Sequence, residues 1–100
     1  MRARIRSLQV EAEPRVVTLV RQARRHTLRG DTRKAMLAVR EACLTSGTDA
    51  RLWALYGAAC RRARKHEEAK EAIRQAIYFR ERERDARRAG SLQRLLIEIE

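Results

Sequence analysis

The feature that most constrains this chain is an internal repeat with an interval of 34 residues. When the sequence is aligned with itself at that interval, small and apolar residues fall on residues of the same kind. The aligned pairs are Leu19 and Trp53, Ala23 and Gly57, Ala35 and Ala69, Val39 and Ile73, and Ala42 and Ala76. A period of about 20–50 residues is typical of stacked supersecondary units, because one unit alone cannot bury its apolar face. The repeat therefore predicts an array of similar units rather than an irregular helical bundle.

Within each repeat, apolar residues recur at helical spacing and turn residues separate the runs. Pro14 suits a first helical turn, and Gly30 and Gly47 interrupt the pattern. Asp31 or the threonine after it, and later Asp49 or the threonine before it, are suitable N-caps for the helices that follow. The predicted helices cover about 14–29, 32–44, 50–63, 67–80 and 86–99. Residues 1–13 are predicted to form a short leading helix or an extension.

Two stretches of the second repeat carry a family resemblance. They are Trp53-x-x-Tyr56-Gly57-x-x-Cys60 and Ala69-x-x-x-Ile73-x-x-Ala76. Together they resemble the tetratricopeptide repeat (TPR) family, which has aromatic residues and a glycine on the first helix and small residues on the second. The resemblance implies an all-α, right-handed, TPR-like solenoid of helical hairpins with about five helices. Its parts are an N-terminal extension at 1–13, a first repeat at 14–49, a second at 50–83 and a C-terminal capping helix at 84–100.

The spacing of small and large residues predicts the repeat core. Small residues let two helices approach closely, and large residues fill the gaps beside them. The residues assigned to this core are Leu19, Ala23, Ala35, Val39, Ala42, Trp53, Tyr56, Gly57, Ala69, Ile73 and Ala76. The chain departs from the family pattern at three positions. Cys60 and His26 stand where the family usually has Tyr, and Arg82 stands where Pro is usual.

The resemblance also implies a concave groove lined by the first helix of each pair. The groove positions carried over from the family are Val17, Val20, Arg24, Thr27, Leu28, Arg51, Ala54, Ala58, Arg61 and Arg62. Such a groove is apolar at one end and basic at the other. Arginine binds carboxylates in a bidentate manner, so an acidic or amphipathic peptide is the expected ligand. The asparagine of carboxylate-clamp TPR proteins is absent at Arg24 and Ala58, so we do not expect a chaperone C-terminal tail.

The chain carries 24 basic and 13 acidic residues, a net charge of +11. This charge attracts polyanions, yet it is also compatible with arginines that are merely solvated. A protein-interaction adaptor, alone or as a subunit of a larger assembly, is the leading hypothesis, and nucleic-acid binding is the alternative. Aromatic residues make up only 4% of the chain, which disfavours base-stacking recognition of single strands. Two repeats leave apolar ends open, so self-association through those ends is a third possibility.

No sequence pattern typical of catalysis stands out, so we predict neither an enzyme nor a cofactor. Cys43, Cys60, His26 and His66 match no zinc spacing, and we expect no metal site. Small buried side chains explain the cysteines, and partly buried packing explains the histidines. No apolar run is long enough to cross a membrane, and the basic first ten residues lack the apolar centre of a secretory signal. With only two cysteines, a cytoplasmic location is the default expectation.

Overall fold

A computed structural model of the chain describes residues 14–99. Its helices are α1 (Pro14–Leu28), α2 (Thr32–Thr45), α3 (Ala50–Arg62), α4 (His66–Arg82) and α5 (Ala86–Ile99). No strand occurs within the described range, which confirms the all-helical prediction of about five helices. The N-terminal extension predicted at 1–13 and the last residue of the predicted capping helix lie outside the described residues. α4 begins one residue before the predicted range and ends two residues after it, so it includes Glu81 and Arg82.

The helices pack in the order of the chain. α1 contacts α2, α2 contacts α3, α3 contacts α4, and α4 contacts α5, while contacts between more distant helices are sparse. The radius of gyration is 14.0 Å and the principal extents are 44 × 33 × 19 Å. Layers that contact mainly their sequence neighbours are expected when each helix pair buries its apolar face against the next one.

The turn between α1 and α2 and the turn between α3 and α4 share one backbone geometry. Gly30, after α1, has a φ of 81°, and Arg64, after α3, has a φ of 60°. In each turn, the amide two residues beyond the helical cap donates to a carbonyl in the last helical turn, which is a Schellman motif. The two bonds run from Asp31 to His26 and from Lys65 to Cys60, each with a length of 2.8 Å. The 34-residue equivalence of Gly30 and Arg64 therefore extends to the backbone, although only one of the two turns has a glycine.

The core consists mostly of small and aliphatic side chains. Of the residues assigned to the repeat core from the sequence, the buried ones are Leu19, Ala23, Ala35, Val39, Ala42, Gly57, Ala69, Ile73 and Ala76. Leu52 and Ile73 are the largest side chains with no exposed surface, and both belong to the second helix pair. Gly57 lets Ile73 of α4 approach α3 closely, because a Cβ atom at position 57 would lie 2.7 Å from Cγ1 of Ile73.

The two aromatic residues assigned to the core do not lie at its centre. Trp53 and Tyr56 are only partly buried, and they pack against the margin of the core. The indole nitrogen of Trp53 donates a hydrogen bond of 2.7 Å to the carbonyl oxygen of Gly47. This hydrogen bond stabilises Trp53 at the margin of the core, because the indole N–H would lose its partner if the ring moved into the interior. Trp53 therefore connects α3 to the turn before it, and Leu52 occupies the interior.

Candidate functional site

A cleft opens where α1, α2 and α3 meet, and its volume is about 230 Å³. Three helices line it. The lining residues are Val20, Ala23, Arg24, Thr27 and Leu28 from α1, Ala35 and Val39 from α2, and Leu55, Ala59 and Arg62 from α3. The cleft thus combines an aliphatic floor with an arginine from each of two helices, α1 and α3.

The helical periodicity of α1 and α3 explains why these side chains converge. On α1, Val20, Arg24 and Leu28 are spaced four residues apart, so they lie along one side of the helix. This side adjoins the buried face of α1. On α3, Leu55 and Arg62 stand two turns apart on the side that faces α1. Small alanines on the same faces keep the floor open.

The cleft exposes aliphatic surface that the described residues leave uncovered. Leu28 is 82% exposed and Leu55 is 39% exposed. Single exposed aliphatic residues are ordinary on protein surfaces, but these two line one concave site together with the partly buried Val20. Burial of such a surface against a ligand is favourable, at about 25 cal/mol for each Å² removed from water.

The two cleft arginines have no acidic partner within residues 14–99. Arg24 and Arg62 are exposed and form no ion pair there. By contrast, Arg15 at the start of α1 pairs with Glu41 of α2. The hydroxyl of Thr27 already donates to the carbonyl oxygen of Ala23 at 2.9 Å. The guanidinium groups are therefore the donors that remain available to a ligand.

The structure brings together half of the groove positions carried over from the family. Val20, Arg24, Thr27, Leu28 and Arg62 line the cleft. The positions that do not line it are Val17, Arg51, Ala54, Ala58 and Arg61. The last four share a face of α3 about a quarter turn away from the cleft.

Leu55 and Ala59 line the cleft but were not among the groove positions assigned from the sequence. Their spacing of four residues, with Arg62 three residues further on, is the signal that could have found them.

The buried thiols are poor candidates for chemistry. Cys43 and Cys60 are reduced and fully buried. Burial, with smaller contributions from the charges of Asp49 and Cys60, raises the pKa of the Cys43 thiol to about 12. Burial also raises the pKa of the Cys60 thiol. Because the thiolate is the nucleophile and the metal ligand, both groups remain protonated and inert near neutral pH.

Two other kinds of site are missing from the described range. Residues 14–99 contain no group of three or more His, Cys, Asp or Glu side chains arranged to hold a metal ion. In the same range, none of the helices combines the length and apolar character needed to cross a bilayer.

Comparison with known proteins identifies no relative of this chain. No protein-family model, curated protein or solved structure matches it. The function is therefore inferred from the cleft, from its charges and from the repeat in the sequence.

Proposed function

We propose that this chain is a non-catalytic protein-interaction module built on the TPR plan. In this proposal, helix pairs at 14–49 and 50–83 form a short right-handed solenoid, and α5 caps its C-terminal end. The cleft between α1 and α3 binds an acidic, amphipathic segment of a partner protein. The 34-residue repeat, the motif around Trp53 and the sequential packing of the helices support this plan.

The observation that carries the proposal is the pairing of an aliphatic floor with two arginines that have no partner among the described residues. Arg24 and Arg62 belong to different helices, and both reach the same cleft. An apolar side chain of the ligand would be buried on the floor, and its carboxylates would accept hydrogen bonds from the guanidinium groups. A hydrogen bond to a charged group contributes about 1.5–3 kcal/mol, whereas an ion pair that stays exposed contributes only about 0.2–1 kcal/mol, which is the range for these arginines.

The size of the cleft favours a peptide segment over a small molecule. Sites for drug-sized ligands usually enclose about 300–1,000 Å³, whereas this cleft has about 230 Å³. It has room for a few side chains, and the rest of the ligand must lie along the outside of α1 and α3. An amphipathic helix that inserts one apolar face into a groove has this form.

Selection of phage-displayed random peptides on the full chain, followed by fluorescence anisotropy titration of a selected peptide, tests the proposal. We expect selected sequences that combine Leu, Ile or Phe with Asp or Glu. The double variant Arg24→Glu/Arg62→Glu should weaken binding by about 100-fold. Each charge reversal removes an attraction of about 0.7 kcal/mol and adds a repulsion of similar size, which is about tenfold for each site. Leu55→Gln should also weaken binding, because it places an amide on the aliphatic floor.

The control variant is Arg51→Glu/Arg61→Glu, which makes the same change of charge on the neighbouring face of α3. It should weaken binding much less, since neither residue lines the cleft. Circular dichroism would establish that every variant remains helical. If the two double variants weaken binding equally, general charge attraction explains the binding and the cleft does not. Selected peptides without acidic residues would also contradict the proposal.

A further inference from the structure

The outer face of α1 carries a row of arginines that is separate from the cleft. Arg21 and Arg25 lie on α1, and Arg29 is the residue that directly follows its end at Leu28; all three are exposed and spaced four residues apart. The backbone N–H of Arg29 still donates to the carbonyl oxygen of Arg25 at 3.1 Å, so the row continues the helical spacing. Four residues of α-helix advance by about 6 Å, so the row presents positive charges at that spacing along one side of α1. The row faces away from the buried residues Leu19 and Ala23.

The charges of this row are not neutralised within the described part of the chain. α1 contains no acidic residue, and Arg21, Arg25 and Arg29 form no ion pair within residues 14–99. Like charges four residues apart on a helix repel one another and destabilise it. Elsewhere the protein does neutralise arginines, as where Arg88 lies 2.9 Å from Asp85. The guanidinium groups of the row therefore repel one another, and an anionic ligand would relieve this repulsion.

A shallow cavity of about 310 Å³ lies beside the row, lined by Gln22, Arg25, His26 and Arg29. All four side chains can donate hydrogen bonds. Nδ1 of His26 is buried and has no hydrogen-bond partner among the described residues. The cavity thus adds Gln22 and His26 as potential donors beside Arg25 and Arg29, and no aliphatic residue lines it.

We infer that the arginine row of α1 binds the phosphate backbone of a double-stranded nucleic acid without reading its sequence. Duplex DNA is a dense line of negative charge, with about one charge for each 1.7 Å of its axis. α1 carries no Phe, Tyr or Trp, so it offers no platform for stacked single-stranded bases. A protein partner is less suited to the row, because protein interfaces bury an apolar centre that the row does not provide.

Fluorescence anisotropy with a labelled DNA duplex, repeated over a series of salt concentrations, tests this inference on the full chain. The triple variant Arg21→Gln/Arg25→Gln/Arg29→Gln should bind at least about tenfold more weakly near physiological salt. Loss of three phosphate contacts should also reduce the slope of log K against log salt by about 2.7. The control triple removes the same charge from scattered exposed sites, namely Arg33→Gln, Arg61→Gln and Arg87→Gln.

The control triple should change the salt slope by much less than the α1 triple. An RNA duplex should show a similar loss with the α1 triple if the phosphate backbone is what is recognised. Equal losses for the two triples would show that only the net charge attracts DNA, and would overturn the inference. The absence of duplex binding by the unmodified chain would also overturn it, as would tighter binding to a single strand. Binding to anionic lipid vesicles but not to either duplex would likewise overturn the inference, because the row would then bind a membrane surface.

Discussion

Replacement of Gly57 by alanine tests the close approach of α3 and α4. In the structure, an added Cβ atom would lie 2.7 Å from Cγ1 of Ile73, 3.4 Å from its Cδ1 and 3.5 Å from the carbonyl oxygen of Ala69. Real Cβ atoms essentially never lie within 3.0 Å of a heavy atom outside their own residue and its chain neighbours. The Ile73 side chain has no exposed surface, so it cannot move into solvent. Either the isoleucine or the helix spacing must therefore change.

Two opposing effects set the size of the expected change. In an unobstructed helix interior, Gly→Ala stabilises by about 1 kcal/mol, because glycine loses more backbone entropy on folding. Overpacking a well-filled core costs about 1–3 kcal/mol. For Gly57→Ala we therefore expect a net loss of about 1 kcal/mol. In a domain of this size, such a loss lowers Tm by about 4–8 °C.

Gly90→Ala is a matched control within α5. Its added Cβ atom would approach only a guanidinium nitrogen of Arg94, at 3.8 Å, so it has space. This variant should gain about 1 kcal/mol from helix propensity alone. Urea unfolding, followed by circular dichroism and by the fluorescence of the single tryptophan, measures both variants. We expect their free energies of unfolding to differ by about 2 kcal/mol.

A double-mutant cycle isolates the contact itself. Ile73→Ala alone should destabilise the protein by about 2–5 kcal/mol, because it leaves a cavity. In the Ile73→Ala background the obstruction is gone, so Gly57→Ala should become neutral or stabilising. The coupling energy between the two positions should then be about 1–2 kcal/mol. If Gly57→Ala stabilises the unmodified chain as much as Gly90→Ala does, α3 and α4 are further apart than described and the reasoning fails.

Two further predictions concern a turn and a pH dependence. Arg64 has a φ of 60°, so Arg64→Gly should relieve left-handed strain. After the entropy cost of glycine, the free energy of unfolding should rise by about 0.5–1 kcal/mol, measured as a higher urea midpoint. An unchanged or lower midpoint would contradict this. The hydrogen bonds from Arg88 hold the pKa of Asp85 below its ordinary value of 3.8. The resulting stability is present above the unfolded-state pKa and is lost as pH falls through the lower, folded-state pKa. Asp85→Asn should therefore lower the urea midpoint near pH 7 and have progressively less effect in acid, whereas a pH-independent difference would argue against the interaction.

The sequence alone predicted the helices and much of the buried surface. Helical periodicity and turn residues were sufficient, because each helix must present one apolar side to its neighbours. Gly30 and Gly47 correctly predicted where α1 and α2 end, because glycine is common just after a helix, where the backbone leaves the helical conformation. The small residues Ala69 and Ala76 also lie where the repeat placed them, in the interior of the second helix pair. These features depend on short-range spacing, which a sequence displays directly.

Positions at the edges of helix faces were not predictable in the same way. Periodicity indicates a side of α3, but it does not say whether Leu55 or Ala58 reaches the cleft, because that choice depends on how α3 crosses α1 and α2. Likewise, nothing in the residue type of Arg64 indicates a left-handed turn. The turn follows from the position of the α3–α4 junction.

Spacing along the chain thus predicted five helices at nearly the observed positions, a repeat of 34 residues and a strongly basic composition. Which of the candidate side chains share a site depends on the tertiary structure. It placed Leu55 and Ala59 at the cleft instead of Ala54 and Ala58, and it placed Trp53 at the margin of the core. The physical reason is that spacing along a helix fixes the direction of each side chain relative to its own axis, whereas the crossing of helices fixes which directions meet.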